Sequence, residues 1–598
     1  MRQILDWLDD RTGYRGLLKA ALYERIPGGA RWRYVWGSTL TFAIFVQLVT
    51  GLVLWAAYSP NAAGAWESVY FIQHEMTGGW IVRGIHHFTA QAMIVLVVLH
   101  LMQVLIDGAY RAPREVNFWF GLLLLFLVMG LGLTGYLLPW DQKGFWATKV
   151  ATSIASMTPV VGPAIQQLLI GGVEYGHHTL TRFFALHAGV LPAGLALLVV
   201  AHVYLFRRHG VTVSEKARGE PDGHFWPEQV LRDGVASLVV MVTVLGLVLW
   251  TGGAHLGAPA DPTEPYAAAR PDWYFMFLFQ WLKYFPAGLE LVGAQVIPGM
   301  VVAVIAAMPL IGRWRLGHRF NLGFAASLFL GVALLTRLAY SEDAASPEFQ
   351  AARVEAESVA RRIGVLARSP DGIPPEGGLA LLRVDPYTQG PRLFAENCAS
   401  CHRFDGHDGR GLIPVDPQAA SDLAGFGTRE WLLGLLDPER ILDDAYFGAT
   451  EHRSGRMARF VTRGVAGYTP ERLEELRRVA WAISAGAGLP AQAAADAEAR
   501  AEIEEGRALI ASGEAECARC HTIGTLSDGD VGPDLTGWGS KEWLVGMIHD
   551  PSHETYYGTA NDRMPSFGVE QILSDAEIGL IADWLRGEWY DPQRTVVH

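Results

Sequence analysis

Two pairs of histidines stand inside long apolar stretches of the chain. His86 and His100 are fourteen residues apart in RGIHHFTAQAMIVLVVLH, and His187 and His202 are fifteen apart in RFFALHAGVLPAGLALLVVAH. On an α-helix either spacing is close to four turns, so both histidines of a pair face one way, about 21–23 Å apart along the axis. Ionisable residues inside a membrane are costly and usually functional. Two such helices side by side therefore predict two stacked metal centres, suited to two haems with two histidine ligands each.

A second pattern, CxxCH, occurs twice in the C-terminal half. All four cysteines of the chain belong to these motifs, which are Cys398-Ala-Ser-Cys401-His402 and Cys517-Ala-Arg-Cys520-His521. In this motif both thiols bond to the edge of a haem and the histidine binds its iron. Structural zinc would need four Cys or His ligands at one place, and a redox dithiol would not explain a histidine in both copies. The motifs therefore predict two covalent c-type haems.

Each c-type haem needs a sixth iron ligand, and a methionine later in the same repeat is the candidate. Met564 precedes Pro565 in RMPSF, a setting typical of haem-ligating methionines. Met457 in GRMARF takes the equivalent place in the first repeat, without the proline. His452 lies nearby in the sequence and is an alternative to Met457.

The elements that must position the histidine pairs are membrane spans. Residues 1–340 are a series of long apolar runs with a net charge of +5, whereas residues 341–598 form a polar region with a net charge of −18. A run of about twenty apolar residues is long enough to cross a bilayer. The runs predict seven spans, at about 35–57, 84–106, 117–138, 183–206, 235–252, 291–311 and 320–340.

The distribution of positive charge predicts the orientation of these spans. Lys and Arg are concentrated in the N-terminal segment and in the loops after the second, fourth and sixth spans. The positive-inside rule then predicts a cytoplasmic N-terminus in a bacterial inner membrane, with everything after residue 340 on the exported side. Haem attachment to CxxCH also takes place outside the cytoplasm. No cleavable signal peptide is visible, so the first span is expected to act as the export signal.

Other residues of the spans could accommodate the haems. Four glycines in the first and third spans repeat the fourteen-residue interval, namely Gly37, Gly51, Gly121 and Gly135. A missing side chain at those depths lets a flat macrocycle approach the backbone, although small residues also serve ordinary helix packing in membranes. Arg83 and Arg114 stand at span ends, where they could pair with haem propionates. A role in topology is an equally good interpretation of Arg114.

Two exported loops are too long and too apolar to be simple connectors. They are residues 139–181, which include PWDQKGFWATKV, and residues 253–290, which include PDWYFMFLFQWLKYFP. An apolar, aromatic pocket with one carboxylate is what a quinol head group requires. Asp272 could accept a proton from it, while Tyr274 and Tyr136 provide hydroxyls. An interfacial aromatic belt is the alternative interpretation of the tryptophans.

An internal repeat organises the polar region. After a linker at 341–385, DLAGFGTREWLLGLLDP at 422–438 matches DLTGWGSKEWLVGMIHDP at 534–551. A CxxCH motif lies upstream of each copy, and a methionine and a closing helix lie downstream. We therefore predict two small helical modules, at 386–490 and 491–598, and an all-α fold for the whole chain.

Residues 1–340 resemble cytochrome b of the cytochrome bc complexes, and most closely the chloroplast-type form with a separate subunit IV. WGSTLTFAIFVQLVTG, GWIVRGIHH, LTGYLLPWDQKGFWATK and LTRFFALH match its first half, and GEPDGHFWPE, GAPADP and PDWY match subunit IV. The resemblance divides this part into a four-helix haem bundle at 1–215 and a three-helix part at 216–340. The two C-terminal modules resemble class I cytochromes c. Val35 stands where the chloroplast-type form has a cysteine that tethers an extra haem.

The resemblance implies a role for each matching residue. His86 with His187 would ligate the haem nearer the exported face, and His100 with His202 the one nearer the cytoplasm. PDWY stands where the family has PEWY, the quinol-oxidation motif, so that Asp272 is the matching carboxylate. In the family this change often accompanies low-potential quinones, which favours menaquinol.

The resemblance also implies the reaction. The family oxidises membrane quinol with bifurcated electron transfer and proton translocation, using a Rieske iron–sulfur protein and forming homodimers. The chain has no Cys/His pattern for a Rieske cluster, so that protein is expected to be a separate partner. Residues 491–598 carry a net charge of −13, which would steer a basic soluble acceptor such as a cytochrome c or cupredoxin. Solubility alone is the alternative interpretation of this charge. No nucleic-acid partner is expected. Two alternatives are a quinol dehydrogenase without bifurcation and an electron conduit or membrane anchor.

Overall fold

The computed structural model describes residues 2–213 and 217–593 and divides them into two compact units. The N-terminal unit comprises residues 1–361 and 375–379, and the C-terminal unit comprises residues 362–374 and 380–598. The predicted division between a four-helix and a three-helix part, at residues 215 and 216, lies outside the described residues. The chain is mostly helical, as predicted.

Among the described residues, the N-terminal unit is built from fourteen α-helices and two short strands, followed by the start of a fifteenth α-helix. In chain order they are α1 (Arg2–Thr12), α2 (Tyr14–Leu22), α3 (Val35–Trp55), α4 (Ala65–His74), α5 (Gly79–Ile106), α6 (Glu115–Leu137), α7 (Gln142–Ser156), α8 (Gly162–Ile170), α9 (His177–Phe184), α10 (Leu191–His209), α11 (Val230–Thr251), α12 (Met276–Leu282), α13 (Ile297–Ile311) and α14 (Gly317–Ala345). Two short strands, β1 (Arg25–Ile26) and β2 (Gly223–His224), pair antiparallel. Helices α15 (Pro347–Leu366) and α16 (Gly378–Arg383) contain the boundaries between the units.

Seven stretches within the described residues are long and apolar enough to cross a membrane. They are Trp32–Trp55, Gly79–Ile106, Glu115–Leu137, His177–His209, Phe225–Thr251, Val292–Ile311 and Gly317–Ala345. Each overlaps one of the seven predicted spans, so the prediction is confirmed. The chain is therefore a multi-pass membrane protein.

Two pairs of spans form the core of the N-terminal unit. Helix α3 packs along α5, and α6 packs along α10. Between them lies a buried apolar cluster of Ala43, Met93, Ile94, Val128 and Leu195. Met93 is midway between His86 and His100, and Leu195 is about midway between His187 and His202. An apolar layer therefore separates two levels of histidines.

The fourth span is interrupted by a wide helical turn. Between α9 and α10, residues Ala185–Val190 form a π-type turn that contains His187. Pro192 follows at the start of α10 and has no N–H to donate to the carbonyl of Ala188, which would be its partner in a regular α-helix. A π-type turn inserts one extra residue into a helix. The turn therefore accommodates the one additional residue that separates His187 from His202, compared with His86 and His100.

The C-terminal unit contains the two sequence repeats. Its helices are α17 (Pro386–Asn397), α18 (Arg429–Leu435), α19 (Arg456–Arg459), α20 (Pro470–Ala485), α21 (Ala493–Glu498), α22 (Arg500–Ala511), α23 (Lys541–His549) and α24 (Asp575–Leu585). Strands β3 (His521–Ile523) and β4 (Ser527–Asp530) form an antiparallel pair.

The repeats do not pack as two consecutive modules at 386–490 and 491–598. Helix α17, which precedes the first CxxCH, packs along α24, the last helix of the second repeat. Helix α22, which precedes the second CxxCH, packs along α20, the last helix of the first repeat. The terminal helices are thus exchanged between the repeats. A large buried cluster with residues from both repeats, among them Trp431, Val479, Ile510 and Trp543, covers the junction.

Candidate functional site

The four predicted histidine ligands meet in two facing pairs. The ring centres of His86 and His187 are 6.3 Å apart, and those of His100 and His202 are 6.4 Å apart. A metal ion held between two imidazoles places their nitrogens about 4 Å apart, at about 2 Å per bond. Each ring centre lies one ring radius further out, so both separations fit a bis-histidine haem iron.

Hydrogen bonds at Nδ1 fix the tautomer of three of these histidines. His86 donates to Thr50 Oγ1 at 2.8 Å, His187 donates to Thr134 Oγ1 at 3.2 Å, and His202 donates to the Asn117 carbonyl at 3.1 Å. Both threonine hydroxyls already donate to backbone carbonyls of their own helices, so they accept from the imidazoles. Nε2 is therefore left unprotonated to bind a metal. His100 Nδ1 is buried without a hydrogen-bond partner among the described residues.

Each predicted glycine lies against one of the histidines. A methyl group would lie 3.7 Å from His100 Cε1 if placed on Gly37, 3.4 Å from His86 Cε1 on Gly51, 3.4 Å from His202 Cε1 on Gly121 and 2.5 Å from His187 Cε1 on Gly135. The absent side chains therefore make room for the imidazoles. Clearance for the macrocycle stays a prediction. Sequence reasoning missed the threonines, although the dipeptide Thr-Gly recurs at 50–51 and 134–135.

Both predicted propionate arginines have protein partners. Arg83 donates to Gln73 Oε1 and to the Ala254 and His255 carbonyls at 2.7–2.8 Å. Arg114 donates to the carbonyls of His209 and Gly210, at the C-terminal end of α10. These bonds tie loops and helix ends to the histidine bundle, and a contact with propionates stays a prediction.

The predicted quinol-site carboxylate lies in a charged and hydroxylated environment. Asp272 Oδ1 lies 3.1 Å from Lys143 Nζ, and its Oδ2 accepts a 3.4 Å hydrogen bond from Tyr274. Burial, and next the charge of Asp272, raise the pKa of Tyr274, so its hydroxyl is a proton donor at neutral pH. Lys143 Nζ also lies 5.1 Å from the ring centre of Tyr136. Tyr136 OH is buried with no hydrogen-bond partner among the described residues, which leaves it available to a ligand.

The PDWY segment lies at the level of the first histidine pair. Tyr274 OH would be 3.2 Å from a methyl group on Gly132, three residues before Gly135, which faces His187. The indole of Trp273 donates to Gln91 on α5, five residues after His86. The PDWY segment therefore contacts α5, which carries His86, and α6, which carries the glycine that faces His187.

A buried ion pair anchors this segment to the last span. Arg270 makes a two-pronged contact with Asp343 of α14 at 2.7–3.0 Å, and its guanidinium lies 4.0 Å from the ring centre of Phe349. Neither Lys143 nor Arg270 is recognisable as a site residue from the sequence alone. Lys143 and Asp272 are 129 residues apart, so only the paths of the two loops bring them together.

The histidines of the two CxxCH motifs are held by hydrogen bonds to backbone carbonyls. His402 Nδ1 donates to the Ser421 carbonyl at 2.8 Å and His521 Nδ1 to the Pro533 carbonyl at 2.7 Å, which leaves both Nε2 atoms for iron. Burial lowers the pKa of both histidines, which favours the neutral, metal-binding form. Burial also raises the pKa of Cys398 to about 12 and that of Cys517 to about 11. Both are therefore protonated thiols at neutral pH.

Comparisons with known proteins agree with both parts of the chain. The family model described as Cytochrome b(N-terminal)/b6/petB matches residues 91–260, and the one described as Cytochrome C oxidase, cbb3-type, subunit III matches residues 501–585. A menaquinol:cytochrome c reductase cytochrome b subunit from Geobacillus thermodenitrificans is 41% identical over 220 residues, 36% of this chain and 98% of that one. Cytochrome b from Rhodobacter capsulatus is 34% identical over 315 residues, 50% of this chain and 71% of that one. Cytochrome b6 from Synechococcus sp. is 37% identical over 212 residues, 36% and 99% respectively.

These relatives are matched over two thirds or more of their own length. The cytochrome b family model covers His100, His187 and His202. The second repeat matches the cytochrome c family over its CxxCH motif and its last helix. The similarity to both families implies haem cofactors. The chain belongs to the cytochrome b/b6 family of the bc-type complexes, and it is fused to a cytochrome c domain.

Proposed function

We propose that this chain is the cytochrome b and c subunit of a quinol:cytochrome c reductase. The observation that carries the proposal is the position of Asp272, which lies with Lys143, Tyr274 and Tyr136 beside the His86–His187 level. A carboxylate next to two hydroxyls can accept a proton from a quinol hydroxyl while the quinol is oxidised. The adjacent histidine level is the nearest place for the electron to go.

The proposed cofactors are two non-covalent b haems and two covalent c haems. His86, His187, His100 and His202 would hold the first two, and the CxxCH motifs the others. When bound, the b haems supply a route across the membrane for one electron of each quinol, and the c haems carry the other electron to a soluble acceptor. The threonine and carbonyl partners of the imidazoles orient them and keep Nε2 free.

The protein residues at the quinol site handle protons and orientation. Lys143 forms an ion pair with Asp272 and holds this carboxylate, the proposed proton acceptor, in place. Tyr274 and Tyr136 supply hydroxyls that can hold the quinol oxygen. Arg270 fixes the start of the PDWY segment through Asp343. The protons leave on the side of the 139–181 and 253–290 loops.

The bifurcated reaction requires a separate Rieske iron–sulfur protein as the first acceptor of one electron. We propose an assembly of this chain with that protein, as a homodimer, in a bacterial inner membrane. The N-terminus is cytoplasmic and the C-terminal unit is exported, as the loop charges indicate. The relative named as a menaquinol:cytochrome c reductase subunit, together with Asp272 in PDWY, favours menaquinol as the substrate.

Oxidant-induced reduction tests the proposal. The purified complex receives excess quinol, reoxidation of the b haems at the inner site is blocked, and a pulse of oxidant is given to the c haems. We expect the b absorption band to become more reduced while the c band is oxidised, because one quinol feeds two branches. If both bands oxidise together, the haems form one linear path, and a dehydrogenase without bifurcation replaces this proposal. If quinol reduces neither band, the chain is a conduit or anchor.

A further inference from the structure

The terminal helices of the two repeats cross at glycines. In α17, a methyl group on Gly390 would lie 2.2 Å from Trp584 Cβ of α24. In α22, a methyl group on Gly506 would lie 2.2 Å from the Arg478 carbonyl of α20. Both crossings join a helix that precedes one CxxCH to the closing helix of the other repeat.

The two repeats contact each other through equivalent residues. Phe426 and Trp538 hold the same place in DLAGFG and DLTGWG, and their ring centres are 4.8 Å apart. The next residues, Gly427 and Gly539, also touch, since a methyl group on Gly539 would lie 2.9 Å from Gly427 Cα. Contacts between equivalent residues are typical of a local two-fold arrangement. The first half of each repeat is therefore combined with the second half of the other.

The exchange brings each methionine to the other repeat's CxxCH. Met564 packs against a buried cluster that includes Leu393 of α17 and Ile578 of α24. Cys398 packs against Trp584, which follows Met564 on the same half-repeat.

The second CxxCH has the corresponding surroundings from the first repeat. Met457 and Cys517 pack against one buried cluster, which includes Val479 of α20 and Ile510 of α22. Phe460, three residues after Met457, lines a small cavity with Cys517. Tyr468 OH donates to Glu516, the residue before Cys517, at 2.9 Å.

We propose that the axial ligands of the c haems are exchanged between the repeats. The haem on His402 takes Met564 as its sixth ligand, and the haem on His521 takes Met457. The order of the sequence predicts the opposite pairing. His452, the alternative ligand, instead stacks on Tyr557 with ring centres 5.4 Å apart. The inference rests on the proposed function, because it requires both covalent haems.

A spectroscopic tag on one haem tests the pairing in the full-length, membrane-bound protein. In C398A, the haem on His402 keeps one vinyl group and one thioether bond, so its reduced α band moves to longer wavelength. M564H or M457H is then added, and both α bands are followed during a redox titration. Because a Met/His haem has a higher potential than a haem with two histidines, the haem that loses its methionine titrates at a lower potential.

We expect M564H to lower the potential of the tagged haem and M457H to lower that of the untagged haem. The reciprocal C517A tag must give the reverse assignment. If M457H shifts the tagged haem, or if neither variant shifts either haem, the exchanged pairing is wrong. If C398A and C517A do not each shift one α band, the chain lacks two covalent haems, and the proposed function fails first.

A second measurement serves if the histidine variants do not mature. M564A and M457A open the sixth position, and carbon monoxide binds only to an open ferrous haem. We expect carbon monoxide to change the tagged α band in M564A and the untagged band in M457A. The opposite assignment overturns the inference.

Discussion

The imidazoles of the membrane bundle and the glycines opposite them form one packing unit. Each of the four histidines lies against a glycine of a neighbouring span, so the glycine interval follows from the histidine interval. Both intervals are visible in the sequence, where they predict clearance for the macrocycle or ordinary helix packing. The contact of each glycine with an imidazole is visible only in the structure. Which group fills the space beside a glycine depends on how the two helices are rotated about their axes. The spacing of residues in the sequence does not determine this rotation.

The closest of these contacts gives a sharp prediction. In G135A, the new methyl group would lie 2.5 Å from His187 Cε1, whereas in G37A it would lie at an ordinary 3.7 Å from His100 Cε1. We expect G135A to displace His187 and to halve the b haem content per chain, with the c haems unaffected. G37A is the control and should keep both b haems. The haem content of the purified protein, measured after extraction into pyridine, distinguishes the two. Full b haem in G135A would contradict the packing.

Lys143 is expected to act on quinol oxidation through Asp272. The side chains are 44% and 14% exposed, so the pair is partly screened and contributes about 1 kcal/mol at most. In K143M, the quinol oxidation rate should fall by up to about fivefold, which corresponds to that energy. In a D272N background, K143M should have no further effect. K149M is the control, because Lys149 lies over the Trp146 ring. An equal loss in the presence and absence of Asp272 would exclude this coupling.

At the scale of the elements, the fourth span differs from a regular helix where the sequence predicted one. Fifteen residues overshoot four turns of an α-helix, and fourteen fall slightly short. The π-type turn at Ala185–Val190 removes the difference, so that His187 and His202 match His86 and His100. The histidine positions and the seven spans could be predicted because apolar length and periodicity are local properties. The turn could not, since it is set by Pro192 together with packing against α6.

The register of the fourth span can be tested by deletion. Removing Gly189 together with P192A should convert the wide turn into regular helix with a histidine spacing of fourteen. We expect this variant to keep both b haems. Removing Leu197, from the regular part of α10, should leave the wide turn in place and rotate His202 by about 100°. That variant should lose the b haem of the His100–His202 level. Equal b haem content in the two deletions would show that the turn does not set the register.

The crossing of α17 and α24 can be tested through its stability. In G390A, the methyl group would overlap Trp584, and overpacking of this kind costs about 1–3 kcal/mol. Gly579 of α24 has open space around it, so G579A should stabilise the same helix by about 0.5–1 kcal/mol. Thermal unfolding of the purified complex, followed at the c haem absorption band, should give a lower midpoint for G390A and an equal or higher one for G579A. If only G579A lowered the unfolding midpoint, α17 and α24 would not cross at Gly390.

At the scale of the whole molecule, the sequence predicted an apolar part and an acidic part, and the structure divides the chain near the same place. It did not predict that the repeats exchange helices. The residues of a repeat specify which of its helices are amphipathic. The closing helices α20 and α24 are similar, so either of them could in principle pack against α17 or against α22. Only the link between the repeats and the contacts around Phe426 and Trp538 select the exchanged arrangement.

The charge of the second repeat predicts how the protein meets its acceptor. Residues 491–598 carry a net charge of −13, so a basic cytochrome c should be attracted over a distance set by the ionic strength. Raising the salt from 0.01 to 1 M shortens that distance from about 30 to about 3 Å. We expect the rate of reduction of a basic cytochrome c at limiting concentration to fall at least tenfold over this range. With an acidic acceptor, the reduction rate should rise as the salt concentration is raised. A rate that does not depend on salt would show that the charge serves solubility and not attraction of the acceptor.

The exchanged repeats also have a consequence for biosynthesis. The first CxxCH leaves the ribosome more than 170 residues before α24, the helix that covers α17. At about 5–20 residues per second, that interval lasts roughly 10–35 s. During this time Cys398 and Cys401 are exposed on the unfinished chain and open to the haem-attaching machinery. A chain that ends before α24 would carry its haem on an uncovered helix, so completion of the last helix acts as a quality check on the whole polypeptide.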